Sequence, residues 1–196
     1  MARLTADDWT LAAFERFNAD GIAAVRVEAV ARDLGTTKGS FYWHFADRAA
    51  LVQTVLETWE RTETEELIAR VQQIESPRDR LAWLFEAIVQ RMQDRGGERT
   101  LYIEAAAAGI HQVVGRVVER RVTYVAGVIE ELGFDAVEAR RRAALIVAAV
   151  IGYQQLIAGG WHPGAGMGDA ALVASLLGMA VDLSPAPAAQ HPVRDE

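Results

Sequence analysis

The stretch from residue 27 to residue 45 constrains the fold most, because it reads as two short helices joined by one glycine. Apolar residues recur at helical spacing in the first helix, at Val27, Val30, Ala31 and Leu34. Gly35 can adopt the left-handed conformation that ends a helix and redirects the chain. Phe41 and Phe45 lie four residues apart in the second helix, so they predict one buried face.

The other face of the second helix carries polar groups. Thr36 or Thr37 can cap its first turn, since a threonine oxygen accepts a hydrogen bond from an amide there. A cation, two hydroxyls and an imidazole follow, from Lys38, Ser40, Tyr42 and His44. These groups can bind phosphates and base edges, and a helix-turn-helix places its second helix in the major groove of DNA. The competing interpretation is an ordinary helical hairpin with an aromatic core.

The same residues resemble the signature of the TetR family of bacterial transcriptional regulators. The run is Gly35-Thr36-Thr37-Lys38-Gly39-Ser40-Phe41-Tyr42-Trp43-His44-Phe45, followed by Asp47-Arg48-Ala49-Ala50-Leu51. The resemblance extends over about residues 5–55. It departs at Val25-Arg26, where the family often has Ser or Thr. That poorer cap should cost about 1 kcal/mol.

The resemblance implies a set of DNA-contacting residues at and around the second helix. Lys38 is expected to reach a guanine or a phosphate, and Tyr42 and His44 to contact the backbone. Trp43 is expected to pack on the first helix, the alternative being a contact with the sugar-phosphate chain. The full set is Arg26, Thr36, Thr37, Lys38, Gly39, Ser40, Tyr42, Trp43, His44 and Arg48.

Composition excludes several other classes. The 196 residues contain no cysteine, which excludes disulfides and thiolate metal sites. The net charge of −7 argues against general nucleic-acid affinity, although residues 1–48 are nearly balanced, with six basic and seven acidic side chains. We find no signal peptide, and the longest uncharged apolar stretch, 143–157, is too short to span a membrane. These features predict a cytoplasmic protein.

The rest of the chain predicts an all-α protein. We expect a three-helix DNA-binding head at residues 1–46, a six-helix ligand-binding and dimerisation body at 47–183, and a mobile tail at 184–196. A polar run at residues 60–66 lies on one long helix that leaves the head and enters the body. It contains no Gly or Pro, so the helix should be continuous.

Two functions are expected of the body. Its last two long helices have broad apolar faces, which predicts a two-fold interface with Leu145, Ala149, Tyr153, Leu172, Leu176 and Met179. Aromatic and sulfur side chains predict a cavity for an apolar or aromatic inducer with one or two polar groups. The predicted lining residues are Trp59, Trp83, Met92, Tyr102, Tyr124 and Tyr153. Core packing is the alternative for each of these residues.

The sequence therefore predicts a homodimeric transcriptional regulator, a repressor that a small molecule releases from a palindromic operator. We find no Ser/His/Asp constellation, no Glu-x-x-His pair and no phosphate loop, so neither an enzyme nor a cofactor or metal is expected. The alternative function is a helical small-molecule-binding protein that does not bind an operator.

Overall fold

The computed structural model describes residues 4–94, 96–164, 166 and 168–182. All regular structure in those residues is helical, which confirms the predicted all-α class. This part of the chain contains one short 3-10 helix, Ile22–Ala24, and nine main helices. They are α1 (Ala6–Asp20), α2 (Val27–Asp33), α3 (Lys38–Phe41), α4 (Arg48–Glu60, continued by a π-helical turn Arg61–Glu65 and by Glu66–Val71), α5 (Pro77–Asp94), α6 (Gly96–Glu104), α7 (His111–Glu131), α8 (Ala136–Ala158) and α9 (Asp169–Val181). The tail predicted to be mobile, 184–196, lies outside the described residues.

Helix α1 begins at a capping box and ends at a glycine. Thr5 and Asp8 form a reciprocal capping box, with the Thr5 amide 2.7 Å from the Asp8 carboxylate. The helix ends at Gly21, whose φ of 81° is a conformation that glycine adopts without strain. A Cβ at this position would collide with the Thr100 hydroxyl of α6. Gly21 thus permits close contact between head and body.

Aromatic side chains form the core of the head. Trp9 and Phe41 meet edge to face with ring centroids 5.3 Å apart, and Phe41 stacks on Phe45 at 5.5 Å. All three rings are buried, as predicted for Phe41 and Phe45. The cluster continues into the body through Leu101 of α6 and Val117 of α7. Head and body therefore share one core.

Helix α4 joins that core to a second one. Its first half buries Trp59 in the shared core, and its second half buries Leu67 and Val71 among residues of the body. Between the halves the helix continues through the π turn, so it is continuous but not regular. The π turn buries Glu63 and Thr64, which are only 6% and 1% exposed. Such turns are often found at functional sites.

Helices α5, α7, α8 and α9 enclose the second core. Asp135 caps α8 by accepting hydrogen bonds from the amides of the first turn. Arg142 of α8 is 2% exposed and donates to the Ala180 carbonyl of α9 over 3.0 Å and to Glu138 over 2.6 Å. Its guanidinium also lies 4.1 Å from the Phe134 ring centroid. These contacts hold the last helix against its own body.

Candidate DNA-binding surface and body cavity

The turn between α2 and α3 has the geometry that the glycine predicted. Gly35 has a φ of 62°, and the Thr36 amide donates to the Ala31 carbonyl over 2.9 Å. Thr37 is the N-cap of α3, but its side chain makes no capping hydrogen bond. The prediction of a threonine cap is therefore right about the position and wrong about the side-chain bond. Both hydroxyl groups stay available to other partners.

Helix α3 ends at Phe41, so it is shorter than the pattern through Phe45 predicted, and Tyr42, Trp43 and His44 lie in the turn after it. Phe41 fixes one side of this segment in the core, and the polar residues lie on the other side. Lys38 and Gly39 are exposed, Ser40 and His44 are half-buried, and Tyr42 is 57% exposed. Trp43 is 82% exposed, so the expected packing on α1 is wrong. The Trp9 and Phe41 rings already fill the contact between the two helices. An indole left in water at this position is a notable feature of the surface.

The two arginines assigned to DNA from the sequence have different settings. Arg26 is exposed at the N-cap of α2 and makes no capping bond with its side chain, in agreement with the predicted weak cap. Arg48 donates to the backbone carbonyls of Val25 and Ile22 over 2.5 and 2.8 Å. It therefore holds the chain before α2 against the start of α4. This structural role was not visible from the sequence, since the three residues are distant along the chain.

An ion pair on the same surface was also missed. The Lys38 ammonium lies 2.6 Å from the Glu28 carboxylate of α2, and both side chains are more than half exposed. The hydrogen bond from Lys38 lowers the pKa of Glu28, and the same bond raises the pKa of Lys38. Lys38 is the single lysine of the chain. In the protein without DNA, that cation is already paired.

The body contains a cavity among α4, α5, α6, α7 and α8, with about 840 Å³ not occupied by protein atoms, mouth included. Of the six ligand residues predicted from the sequence, it is lined by Met92 and Tyr124. The other four belong elsewhere. Trp59 is buried in the shared core, Trp83 is exposed, Tyr153 packs on Trp161, and Tyr102 is not among the lining residues. Most of the lining is aliphatic or aromatic: Leu67, Ile68, Leu84, Phe85, Ile88, Met92, Val125, Ile146, Val147, Val150 and Ile151.

One part of the cavity wall is polar, which sequence reasoning missed. Arg121 of α7 donates to the Glu98 carboxylate over 2.6 Å and to the Thr64 hydroxyl over 3.0 Å. It also lies 3.1 Å from the Tyr102 hydroxyl and 5.3 Å from the Trp59 ring centroid. Three different helices bring these groups together, so no local spacing could have revealed them.

The ionisation of these groups follows from their surroundings. Burial alone would raise the pKa of Glu98, but the positive charge and hydrogen bonds of Arg121 outweigh it and hold that pKa below its ordinary value. Burial together with the nearby carboxylate raises the pKa of Tyr102. A second arginine, Arg91, faces the buried Glu63 at 3.4 Å, and burial lowers its pKa. Two carboxylates and two guanidinium groups thus line the cavity.

The proposed interface residues divide between two environments. Leu176 is 2% exposed and packs in the core of its own body, so its assignment to a dimer interface is wrong. Leu172 and Met179 are half-buried against the same core. By contrast, Leu145 is 54% exposed and Ala149 is exposed. The exposed apolar face of α8 comprises Ala144, Leu145, Ala148, Ala149, Gly152 and Leu156.

Two absences concern the described part of the chain only. No helix in it is both long and apolar enough to cross a membrane. No cluster of three or more histidine or acidic side chains among those residues could hold a metal ion.

Comparison with known proteins identifies the head. The family model for "Bacterial regulatory proteins, tetR family" matches residues 10–55, which contain the whole helix-turn-helix. The probable HTH-type transcriptional regulator ArpR of Pseudomonas putida is 33% identical over 79 residues. That match spans 40% of this chain and 37% of the relative's length.

Residues 10–55 therefore resemble the DNA-binding domain of the TetR family. Solved structures confirm the fold over both domains. A transcriptional regulator from a Rhodococcus species superposes with a TM-score of 0.68 at 21% identity, covering 93% of this chain and 100% of that one.

Two further structures carry ligands. FadR of Bacillus subtilis in complex with stearoyl-CoA gives a TM-score of 0.65 at 13% identity, over 91% of this chain and 99% of that one. BioQ with its double-stranded DNA operator gives 0.53 at 21% identity, over 89% and 98%. At these identities the likeness shows that this protein shares their fold.

Proposed function

We propose that this protein is a homodimeric transcriptional repressor that binds a palindromic operator in the bacterial cytoplasm and is released by a small molecule in the body cavity. One observation carries the proposal. Helix α3 is held in the core by Phe41, while Lys38 of α3 and Tyr42 and Trp43 of the turn after it face solvent. The matched family of regulatory proteins and the name of ArpR as a transcriptional regulator support it.

The exposed groups suit a DNA surface. Lys38 donates to a guanine edge or a phosphate, and Gly39 lets the backbone approach closely. Tyr42 and His44 contact phosphates, and the exposed Trp43 lies along the sugar-phosphate chain. Thr36, Thr37 and Ser40 add hydroxyl donors, and Arg26 and Arg48 flank the site as cations. The overall negative charge makes binding dependent on these specific contacts, so affinity falls steeply with salt.

Dimerisation uses the exposed apolar face of α8 together with the exposed small residues of α9. A face of alanines, one glycine and two leucines on a helix that also buries its opposite side lets a second copy approach closely. A two-fold axis through this face pairs α8 and α9 with their counterparts in a four-helix bundle. Two heads then meet half-sites about 34–36 Å apart.

Helix α4 couples cavity to head. Its π turn places Glu63 and Thr64 on the cavity wall, and its first residue, Arg48, is bonded to the backbone before α2. A ligand that alters the contacts of Thr64 with Arg121 therefore acts on the same helix that carries the head. By linkage, operator DNA weakens ligand binding by the factor by which ligand weakens operator binding.

Chemical labelling of the single lysine tests the proposal directly. Genomic fragments selected by the purified protein supply the operator. An amine-reactive ester then labels the protein with and without it, and peptide mass spectrometry reads Lys38 against the N-terminal amine. We expect the operator to protect Lys38 and leave the N-terminus reactive. Selection of no fragment, or full labelling of Lys38 in the complex, would contradict the proposal and favour a binding protein without an operator.

A further inference from the structure

Two polar atoms on the cavity wall have their hydrogen-bonding capacity unmet. Gln154 of α8 is 8% exposed, and no described residue lies within hydrogen-bonding distance of its Oε1. The buried Tyr124 hydroxyl of α7 likewise has no partner among the described residues. Both residues line the cavity. Buried polar atoms are nearly always paired in folded proteins, so the unmet amide oxygen of Gln154, with the Tyr124 side chain beside it in the lining, indicates a polar group on the occupant.

The charged side chains of the wall are balanced without a ligand. Glu98 is paired with Arg121 at 2.6 Å, and Glu63 faces Arg91 at 3.4 Å. The two pairs sum to zero formal charge. An ionised ligand would add a charge with no counterpart in a largely apolar enclosure, which is costly. The wall therefore favours a neutral occupant.

Arg91 differs from Arg121 in how fully its donors are used. Among the described residues, its contacts are 3.4 Å to Glu63 and 3.5 Å to the Ala87 carbonyl. Charge-assisted hydrogen bonds are usually about 2.7–2.9 Å, so these contacts are long. Arg91 can donate to an acceptor on a ligand without breaking a short bond. The cavity thus has an acceptor in Gln154 Oε1 and a cationic donor in Arg91.

We infer that the cavity binds an uncharged molecule with an apolar body and a hydroxyl or primary amide group that donates to Gln154 and accepts from the polar wall. The inference rests on the proposed function only in taking this cavity as the ligand site. It excludes carboxylates and ammonium ions of the same size and shape. It also makes Gln154 a specificity-determining residue.

Four rigid probes that share one apolar cage test the inference. 1-Adamantanol is neutral and donates, 1-methoxyadamantane is neutral and cannot donate, adamantane-1-carboxylate is an anion, and 1-adamantylammonium is a cation. Calorimetric titration of the full chain at neutral pH, without DNA, measures each affinity. We expect the alcohol to bind about tenfold more tightly than the ether, because only the alcohol can donate a hydrogen bond. We expect the same advantage over either ion, because binding of the alcohol buries no charge.

Substitutions test whether Gln154 causes the preference for the alcohol over the ether. Gln154→Leu should weaken the alcohol about tenfold and leave the ether unchanged, because only the alcohol uses the amide oxygen. Tyr124→Phe removes one hydroxyl with little change in shape and serves if Gln154→Leu does not fold. Gln90→Leu is the matched control, since Gln90 is exposed on α5 and does not line this cavity.

Three outcomes would overturn the inference. They are an ion that binds as tightly as the alcohol, an alcohol preference that survives both Gln154→Leu and Tyr124→Phe, and no binding of any probe. Protection of Lys38 by operator is measured without ligand. A failure of the ligand inference is therefore distinguishable from a failure of the proposed DNA-binding function.

Discussion

Replacing Glu98 with glutamine should destabilise the protein through Arg121. The substitution keeps the shape of the side chain and removes its charge. Arg121 then stays in a wall where only 21% of its side chain is exposed, without its carboxylate partner at 2.6 Å. Breaking a buried pair typically costs about 3–5 kcal/mol.

Four remaining contacts reduce that cost, one of them a long contact of 3.5 Å from Arg121 to the Glu63 carbonyl. The Tyr102 and Thr64 hydroxyls still accept from Arg121, and the Trp59 ring still lies 5.3 Å from the guanidinium carbon. We therefore expect a loss of about 2–3 kcal/mol in the free energy of unfolding at neutral pH. With a urea dependence of about 2–3 kcal/mol per molar, the unfolding midpoint should fall by about 1 M.

The effect should depend on pH with a definite sign. The pKa of Glu98 is lower in the folded protein than its ordinary value of 4.5, since Arg121 outweighs the effect of burial. A carboxyl of this kind stabilises the fold above pH of about 4.5 and loses that contribution as pH falls through its folded pKa. The difference between parent and Glu98→Gln should therefore be largest at neutral pH and shrink in acid.

Urea unfolding followed by circular dichroism at pH 7 and at pH 4 measures both effects. Glu119→Gln is the matched control, because Glu119 pairs with Arg140 at 2.9 Å while both side chains are more than half exposed. An exposed pair contributes about 0.2–1 kcal/mol. If Glu98→Gln costs no more than Glu119→Gln at pH 7, the pair in the cavity wall does not hold α6 and α7 together as described.

Three further predictions concern DNA and assembly. Lys38→Ala and Tyr42→Phe should each weaken operator binding, measured by fluorescence anisotropy, with little change in the thermal unfolding midpoint. Lys38→Ala should also reduce the slope of log affinity against log salt concentration by about one. Unchanged affinity in both would remove α3 as the reading helix. Glu28→Gln should raise operator affinity about two- to fivefold at low salt, because it releases Lys38 from its ion pair; a loss of affinity would mean that Glu28 itself contacts DNA. Leu145→Arg should give a folded monomer by light scattering, whereas Leu176→Arg should lower the unfolding midpoint at any concentration, since Leu176 is 2% exposed inside its own body. A dimeric Leu145→Arg would place the interface elsewhere.

Local patterns in the sequence were sufficient to predict the helix-turn-helix. Gly35 ends α2 because few other residues adopt a positive φ without strain, and Phe41 and Phe45 share a face because a helix repeats every 3.6 residues. These are properties of neighbouring residues, so they can be read without knowledge of the fold. The same holds for the continuity of α4.

Trp43 and Leu176 show that such patterns do not predict the burial of a side chain. Both are large apolar residues that the sequence predicted to pack against helices, yet Trp43, in the turn after α3, is 82% exposed and Leu176 of α9 is 2% exposed. Periodicity gives the face of a helix on which a residue lies but not what that face meets. Trp43 is left in water because Trp9 and Phe41 already fill the contact between α1 and α3. Leu176 is buried because α9 packs on its own body.

The sequence by itself determined the helical class, the position of the turn and the buried and polar faces of α3, because each depends on residues within a few positions of one another. Only the tertiary structure decided which side chains line the cavity. Glu63, Glu98, Arg121 and Gln154 come from four helices and are separated by up to 91 positions, 154 − 63, along the chain. Their meeting depends on helix packing and on the π turn of α4, which rotates Glu63 and Thr64 toward the body. Long-range packing is the sum of many weak contacts, so no short stretch of sequence contains it.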